Sequence, residues 1–543
     1  MLLLAGLSYL FFMLGNGILS LTNPDEVFYA QTAKEMIQHH SWMTPYLFGA
    51  PQFEKPVLLF WLLRIGFIIF GVSSFAARFF PALFATLGVL TVYRLGLFGF
   101  KNEKKAFIAG LILMSCGFYV GMARTVFTDM IFSVWIFLSL TTFFWGYTRI
   151  ENKGRGILFC FVFSALAVLT KGPLGLLIPF LTIGIFLFIR KDLRFVFSKY
   201  SVWGILIFIA ISIPWYIFMI GRYRSGFINE FFYNDHIRRI IEAEHFSNDR
   251  WYFYPLSIIA VTFPWSLYVI TSLFYLVKRL GPNKSTPAIY TFLISWICAG
   301  LLIFEPAHSK LTSYILPLFP ALSLACADFI YEAPLFKNRG RSLVIVSLLT
   351  VIILFLIPII LIFLLPRFAV YFSDLKPIYI FSLAFLTLAF LILFFVIRMR
   401  LITVTYLTAL VIPLFLLLVP FIRNDIEPYL SSKYACQYLL KNYTINQPIL
   451  CSKPFVRGVR YYTDSDVVIV NAFGKNFFSP HPIPFFDSDQ KVRDFLGQRT
   501  VTYAVLRKSS LEDILRPAGK NFKINTLKVI GNEYIVKIES QIK

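Results

Sequence analysis

Apolar residues along this chain gather into long unbroken runs, separated by short polar loops. Thirteen runs stand out: 1–20, 76–99, 106–122, 130–148, 157–170, 173–189, 202–220, 255–277, 287–304, 311–330, 342–366, 377–397 and 401–421. A helix needs about 20 apolar residues to cross a bilayer. Backbone groups in hydrocarbon must be bonded within the segment, so the runs are predicted as helices. The short alternating strands of a membrane barrel are absent. Residues 1–20 have neither a basic start nor a small-residue cleavage site, and are read as the first membrane helix. The pattern predicts a polytopic α-helical membrane domain over 1–423, with a loop carrying juxtamembrane helices at 21–75.

After residue 424 the long runs stop. Strand-like segments follow at Pro448–Cys451, Asp466–Val470, Thr500–Leu506 and Thr526–Ile538. Helix-like pieces fall at Ser431–Leu440, Lys491–Leu496 and Ser510–Leu515. The alternation predicts a soluble α/β domain over 424–543. It carries no Walker, Rossmann or triad motif; the Gly-Lys pairs at 474–475 and 519–520 lack the upstream glycine of a phosphate loop. A structural or acceptor-guiding role is expected of it.

The basic residues orient the runs. Lys101, Lys104 and Lys105; Arg149, Lys153 and Arg155; Arg190, Lys191, Arg194 and Lys199; Lys278, Arg279 and Lys284; Lys337, Arg339 and Arg341; and Arg398 and Arg400 all lie in every second loop. Such loops stay cytoplasmic. The opposite face then receives 21–75, 123–129, 171–172, 221–254, 305–310, 367–376 and everything after 421.

Composition agrees. Hydrophobic residues make up 58% and charged residues 15%, against about 45–50% and about 25% in soluble domains. The net charge of +23 does not indicate nucleic acid, because the cations are spread over many loops. Cys116, Cys160, Cys298 and Cys326 lie in or beside apolar runs without metal-ligand spacing and read as small buried residues. Cys436 and Cys451 fall in the domain assigned to the oxidising side, so a disulfide and two free thiols are both open.

The candidate chemistry gathers on the non-cytoplasmic face. In the first loop Asn23 suits an N-cap and Pro24 a first helical position, which places Asp25 and Tyr29 one turn apart. A second, interfacial helix is expected from Pro56, with Glu54 and Lys55 at its entrance. Asp129 opens the fourth run, and Lys171 precedes a tight Gly172-Pro173 turn. His236, Arg238 and Arg239 lie in the loop 221–254, and Lys310 and Tyr314 open the tenth run. Charge at membrane depth is costly, so each is a functional candidate. Each also has a plain reading: Asp25 as a helix-dipole partner, Glu54-Lys55 as a solvated pair, Lys171 and Lys310 as snorkelling anchors, His236 as an ordinary loop histidine. Arg78 and Arg124 read as structural or headgroup contacts.

The same residues carry a family resemblance. P-D-E-V-F-Y-A-Q-T-A-K-E-M, W-M-T-P, F-E-K-P-V-L-L-F-W-L, F-A-A-R-F-F-P-A-L, R-T-V-F-T-D-M, L-T-K-G-P-L-G-L-L-I-P, N-D-H-I-R-R, F-P-W and S-K-L-T-S-Y-I-L-P-L-F-P-A-L run in order from about residue 22 to residue 325. Together they resemble the GT-C glycosyltransferases, in the bacterial branch of the lipid A 4-amino-4-deoxy-L-arabinose transferases and the protein O-mannosyltransferase relatives. The resemblance implies a polyprenyl (undecaprenyl) phosphate sugar donor and transfer on the periplasmic side of the bacterial inner membrane. It carries Asp25 as the loop acid, Tyr29 as its neighbour, Glu54 and Lys55 as the E-K pair, Asp129 as the second acid, Lys171 as the K-G-P lysine and His236 as the loop histidine. Ser309-Lys310-Leu311-Thr312 departs from the P-x-K-L-P of the arabinose branch, which leaves the acceptor open.

The chemistry such a site needs is charge stabilisation on a departing phosphate. Lys55 is the first choice, with Lys171 and Arg239 beside it. Asp25 takes the proton of a hydroxyl acceptor; with a phosphate acceptor, such as one on lipid A, it orients the sugar instead. No cofactor is required by this chemistry, although Glu54 and His236 are candidates to share a divalent metal. Lipid A or a related glycolipid is the expected acceptor, a protein hydroxyl the alternative. A membrane transporter is the rival class; its sites lie near the midplane between repeated halves, and no repeat is visible here.

Overall fold

A computed structural model gives the structure of residues 1–242, 246–280, 286–470, 483–486, 488–512 and 521–540. Lys284, both Gly-Lys pairs and the end of the helix expected to reach Leu515 lie outside the described residues.

Among the described residues, eight helices are long and apolar enough to cross a membrane. They run from Ser74–Phe100 to Leu401–Leu430 and coincide with eight of the expected runs. A ninth run is split into Glu103–Met114 and Gly117–Ala123, bent by 66°. The remaining expected runs fall on the shorter apolar helices Leu2–Met13, Leu174–Arg190, Ser266–Lys278 and Ala288–Phe304. Leu58–Phe70, also short, is a helix where one was expected after Lys55, beginning two residues later than Pro56.

Two of the runs that read as continuous are broken at points that meet. The run 255–277 divides into Phe253–Val261 and Ser266–Lys278. Its break meets the break at Ser115–Cys116: the Gly117 amide donates to the Phe263 carbonyl at 2.8 Å and Trp265 Nε1 donates to Ser115 Oγ at 3.0 Å. Helix interruptions at membrane depth survive where neighbouring protein re-satisfies the freed polar groups.

The chain divides into two compact units, each drawn from several stretches of sequence. The first comprises Met1–Asn16, Lys55–Leu59 and Arg78–Phe421. The second comprises Gly17–Glu54, Phe60–Ala77 and Ile422–Lys543.

In the first unit, Arg124 Nη1 donates to the carbonyls of Phe11 and Phe12, closing the end of the first helix. Arg78 and Asn16 exchange bonds of 3.1 and 3.0 Å. Both arginines thus make structural contacts, one of the two readings open for them.

In the second unit, the terminal domain holds a six-stranded sheet. Its strands are ordered Phe485–Phe486, Val467–Val470, Ile449–Ser452, Val501–Leu506, Glu533–Ser540 and Phe522–Ile530. The first four are parallel neighbours and the last two join antiparallel. Alternation along the strands puts Ile449 and Cys451 in one apolar core and Leu450 in the other. The segment Thr526–Ile538, expected as one strand, is a hairpin turning at Gly531, whose φ of +59° suits glycine. Cys436 and Cys451 are free thiols buried in one core, and burial pushes both pKa values up. Of the two alternatives open for this pair, the structure realises the unbridged one.

The first-loop helix spans Asp25–Gln38. Asn23 does not cap it: its Nδ2 donates to Ser432 Oγ at 2.7 Å. Glu26 reaches back instead, accepting from the amide and hydroxyl of Thr22 at 3.0 and 2.9 Å. The helix is tied to the terminal domain by Lys34, 2.7 Å from Asp464. Glu35 accepts from the amides of Phe48 and Gly49, fixing the small hairpin Tyr46–Pro51.

Candidate active site

Charged groups of the first unit converge in a buried chain of alternating sign. Lys55 stands at the foot of the interfacial helix, and its Nζ lies 2.6 Å from Asp235 Oδ2. Asp235 Oδ1 lies 3.2 Å from Arg239 Nε, one helical turn on. Arg239 Nη1 donates to the Tyr314 hydroxyl at 3.2 Å. The Tyr314 ring carries Lys171 Nζ over its face, 4.5 Å from the centroid. Lys171 in turn pairs with Asp129 Oδ1 at 2.5 Å. Three cations and two carboxylates thus alternate along this chain of contacts. All five side chains are at most 20% exposed. At such sites charge interactions are far stronger than in water.

Local backbone explains how these groups are presented. Asp129 sits in the first turn of Thr128–Thr148, where a carboxylate favours the helix dipole. Lys171 ends its helix, and Gly172 follows at φ +97°, a region closed to side chains without strain. A Cβ on Gly172 would also stand 2.6 Å from His236 Nε2. Asp235, His236 and Arg239 come from the helical stretch that prolongs Lys199–Phe227, wound as a π-helix over Ile228–Ile237. Such widened turns recur at functional sites.

Lys310 and His236 are not links in this chain of contacts, although His236 lies beside it. Lys310 is buried, but its Nζ donates to the Arg250 carbonyl at 2.9 Å and lies 3.4 Å from Glu305. His236 Nδ1 donates to the Phe231 carbonyl at 2.7 Å, and its Nε2 edge is packed against the Lys171–Gly172 turn. Among the described residues no three His, Cys, Asp or Glu side chains cluster for a metal ion.

Three candidates belong to the second unit. Asp25 is 56% exposed and lies 3.8 Å from Arg457, whose guanidinium covers the Phe28 ring. Tyr29 is buried beside Phe28 and Phe60, and Glu54 is half-buried.

Asp235 was not among the sequence candidates, although it lies within N-D-H-I-R-R. The available signal was its i, i+4 spacing to Arg239.

The fold and this charge chain define a polytopic helical membrane protein with a buried, cation-rich polar site and a terminal mixed-sheet domain. Its likeness is to the GT-C, ArnT-like glycosyltransferases. The crystal structure of ArnT from Cupriavidus metallidurans bound to undecaprenyl phosphate superposes with a TM-score of 0.78 over 99% of this chain and 97% of that one, at 17% identity. Residues 54–218 match the family described as dolichyl-phosphate-mannose-protein mannosyltransferase. An undecaprenyl phosphate-alpha-4-amino-4-deoxy-L-arabinose arabinosyl transferase of Photorhabdus laumondii is 31% identical over 344 residues, 61% of this chain and 60% of the relative. An uncharacterized protein of Aquifex aeolicus is 31% identical over 332 residues, 61% of this chain and 63% of the relative. The chain thus spans less than two thirds of the length of these relatives.

Proposed function

We propose that the protein is a glycosyltransferase that moves a sugar from a polyprenyl phosphate donor, undecaprenyl phosphate being the lipid, to lipid A or a related glycolipid. The observation that carries this reading is the buried convergence of the three cations Lys55, Arg239 and Lys171. In the reaction the bond from the anomeric carbon to the phosphate oxygen breaks and a bond to the acceptor oxygen forms. Negative charge grows on the phosphate, where fixed cations lower the barrier. Lys55 is assigned to that charge, with Arg239 and Lys171 supporting it. Tyr314 aligns the latter two, and Asp129 holds Lys171 in place.

Asp25 is assigned to the acceptor, as base for a hydroxyl or as an orienting group for a phosphate. Tyr29, Glu54 and Lys310 are assigned to substrate binding. In this reading the chain crosses the inner membrane thirteen times, with a GT-C domain over 1–423 and a soluble domain over 424–543. Catalysis and the terminal domain face the periplasm.

The matched family's description favours a second acceptor, a protein hydroxyl. Mass spectrometry of lipid A and total glycolipids, from cells with and without the protein, separates the two. A sugar-sized increment on lipid A that depends on the protein is expected. Unchanged glycolipids alongside glycosylated periplasmic proteins would move the reading to the second acceptor.

A further inference from the structure

Asp235 is already an anion held by the two cations assigned to the donor. Lys55 and Arg239 come from distant parts of the sequence, yet Lys55 donates to one oxygen of this carboxylate at 2.6 Å and Arg239 Nε forms an ion pair with the other at 3.2 Å, off hydrogen-bond geometry. Its side chain is 7% exposed. Two buried cations repel each other, and a carboxylate between them removes that cost. A carboxylate offering two oxygens to two cations also makes the demand that a phosphate makes. A lipid phosphate recruiting Lys55 and Arg239 must therefore share them with Asp235 or displace it.

We propose that Asp235 is a positioning residue that holds Lys55 and Arg239 as a pair and competes with the lipid phosphate for them. The proposal rests on the polyprenyl phosphate reading above. Competition moderates binding on both sides of the reaction. The entering donor finds two cations already aimed at one point. The departing polyprenyl phosphate, which carries more charge than the donor, is released because a carboxylate takes back its contacts. Lys171 pairs with Asp129 instead, so this exchange leaves the third cation in place.

The test compares wild type, Asp235→Asn and Asp235→Glu as purified full-length protein in detergent, with undecaprenyl phosphate as the probe. Asp235→Asn keeps the shape and removes the competing charge. It should bind the probe roughly tenfold more tightly, the equivalent of about 1.4 kcal/mol. It should also show a lower kcat together with a lower donor KM, because product leaves slowly. Asp235→Glu should restore values near wild type. A purely structural ion pair would not tighten phosphate binding when broken. If the asparagine variant does not fold, Asp235→Ser reads the same sign. Equal or weaker probe binding by a folded neutral variant overturns the proposal alone. Failure of the wild type to bind the probe overturns the transferase reading with it.

Discussion

At the scale of single residues, Lys55 bears most of the proposed chemistry. Its ammonium gains interaction as phosphate charge develops, so it should act on the transition state more than on binding. Lys55→Ala should lower the maximal transfer rate by the equivalent of about 2–4 kcal/mol, as loss of one oxyanion donor does. Lys55→Arg keeps the charge with a different shape and should retain partial activity. Rates are compared on protein that elutes as wild type in gel filtration; an unimpaired Lys55→Ala would pass the role to Lys171 and Arg239. Asp25→Asn should cost much activity with a hydroxyl acceptor and little with a phosphate. Lys55, Asp129 and Lys171 were legible in the sequence because a lone charge beside an apolar run, next to Pro or opening a helix, is conspicuous. Asp235 was not, because it lies among other polar residues and its partner Lys55 is 180 positions away.

At the scale of elements, hydropathy locates helices but not their interruptions. The breaks in the runs 106–122 and 255–277 fall beside Gly117 and at Pro264, local signals that mean hydropathy passes over. The terminal hairpin resembles one strand in composition because β-favouring residues flank a turn of only two residues, Gly531-Asn532. Asn23 looked like a cap because caps are local, whereas its actual partner, Ser432, is distant. That same Ser432 donates at 2.6 Å to Glu533, on the sheet strand Glu533–Ser540. Glu533 Oε2 has no hydrogen-bond partner among the described residues, and burial raises its pKa from 4.5 to about 7, with the Ser432 bond opposing. A raised folded-state pKa means that the stabilising contribution is complete below the unfolded value of 4.5 and is lost as pH rises through about 7. The loss is on the order of 3 kcal/mol. The apparent melting temperature of the purified protein should therefore fall from pH 5 to pH 8, and Glu533→Gln should flatten that fall. An unchanged slope in the glutamine variant would assign the pH dependence to other groups.

At the scale of the whole molecule, the alternating basic loops make the orientation a prediction in its own right. An odd number of crossings from a cytoplasmic N-terminus puts residue 543 in the periplasm. A reporter active only in the periplasm, fused after residue 543, should work; activity of a cytoplasmic reporter there instead would refute the orientation. What hydropathy could not reveal is the composition of the two units. Gly17–Glu54 groups with the terminal residues because of pairs such as Lys34 with Asp464, 430 positions apart. The function claimed for the molecule is sugar transfer from a lipid phosphate. It is tested most directly by incubating the purified protein with an undecaprenyl-phosphate-linked labelled sugar and lipid A. The account predicts label on lipid A and release of undecaprenyl phosphate in equal amounts, with both greatly slowed by Lys55→Ala. Well-folded protein that binds the donor yet transfers nothing to lipid A, to other glycolipids or to protein would contradict it.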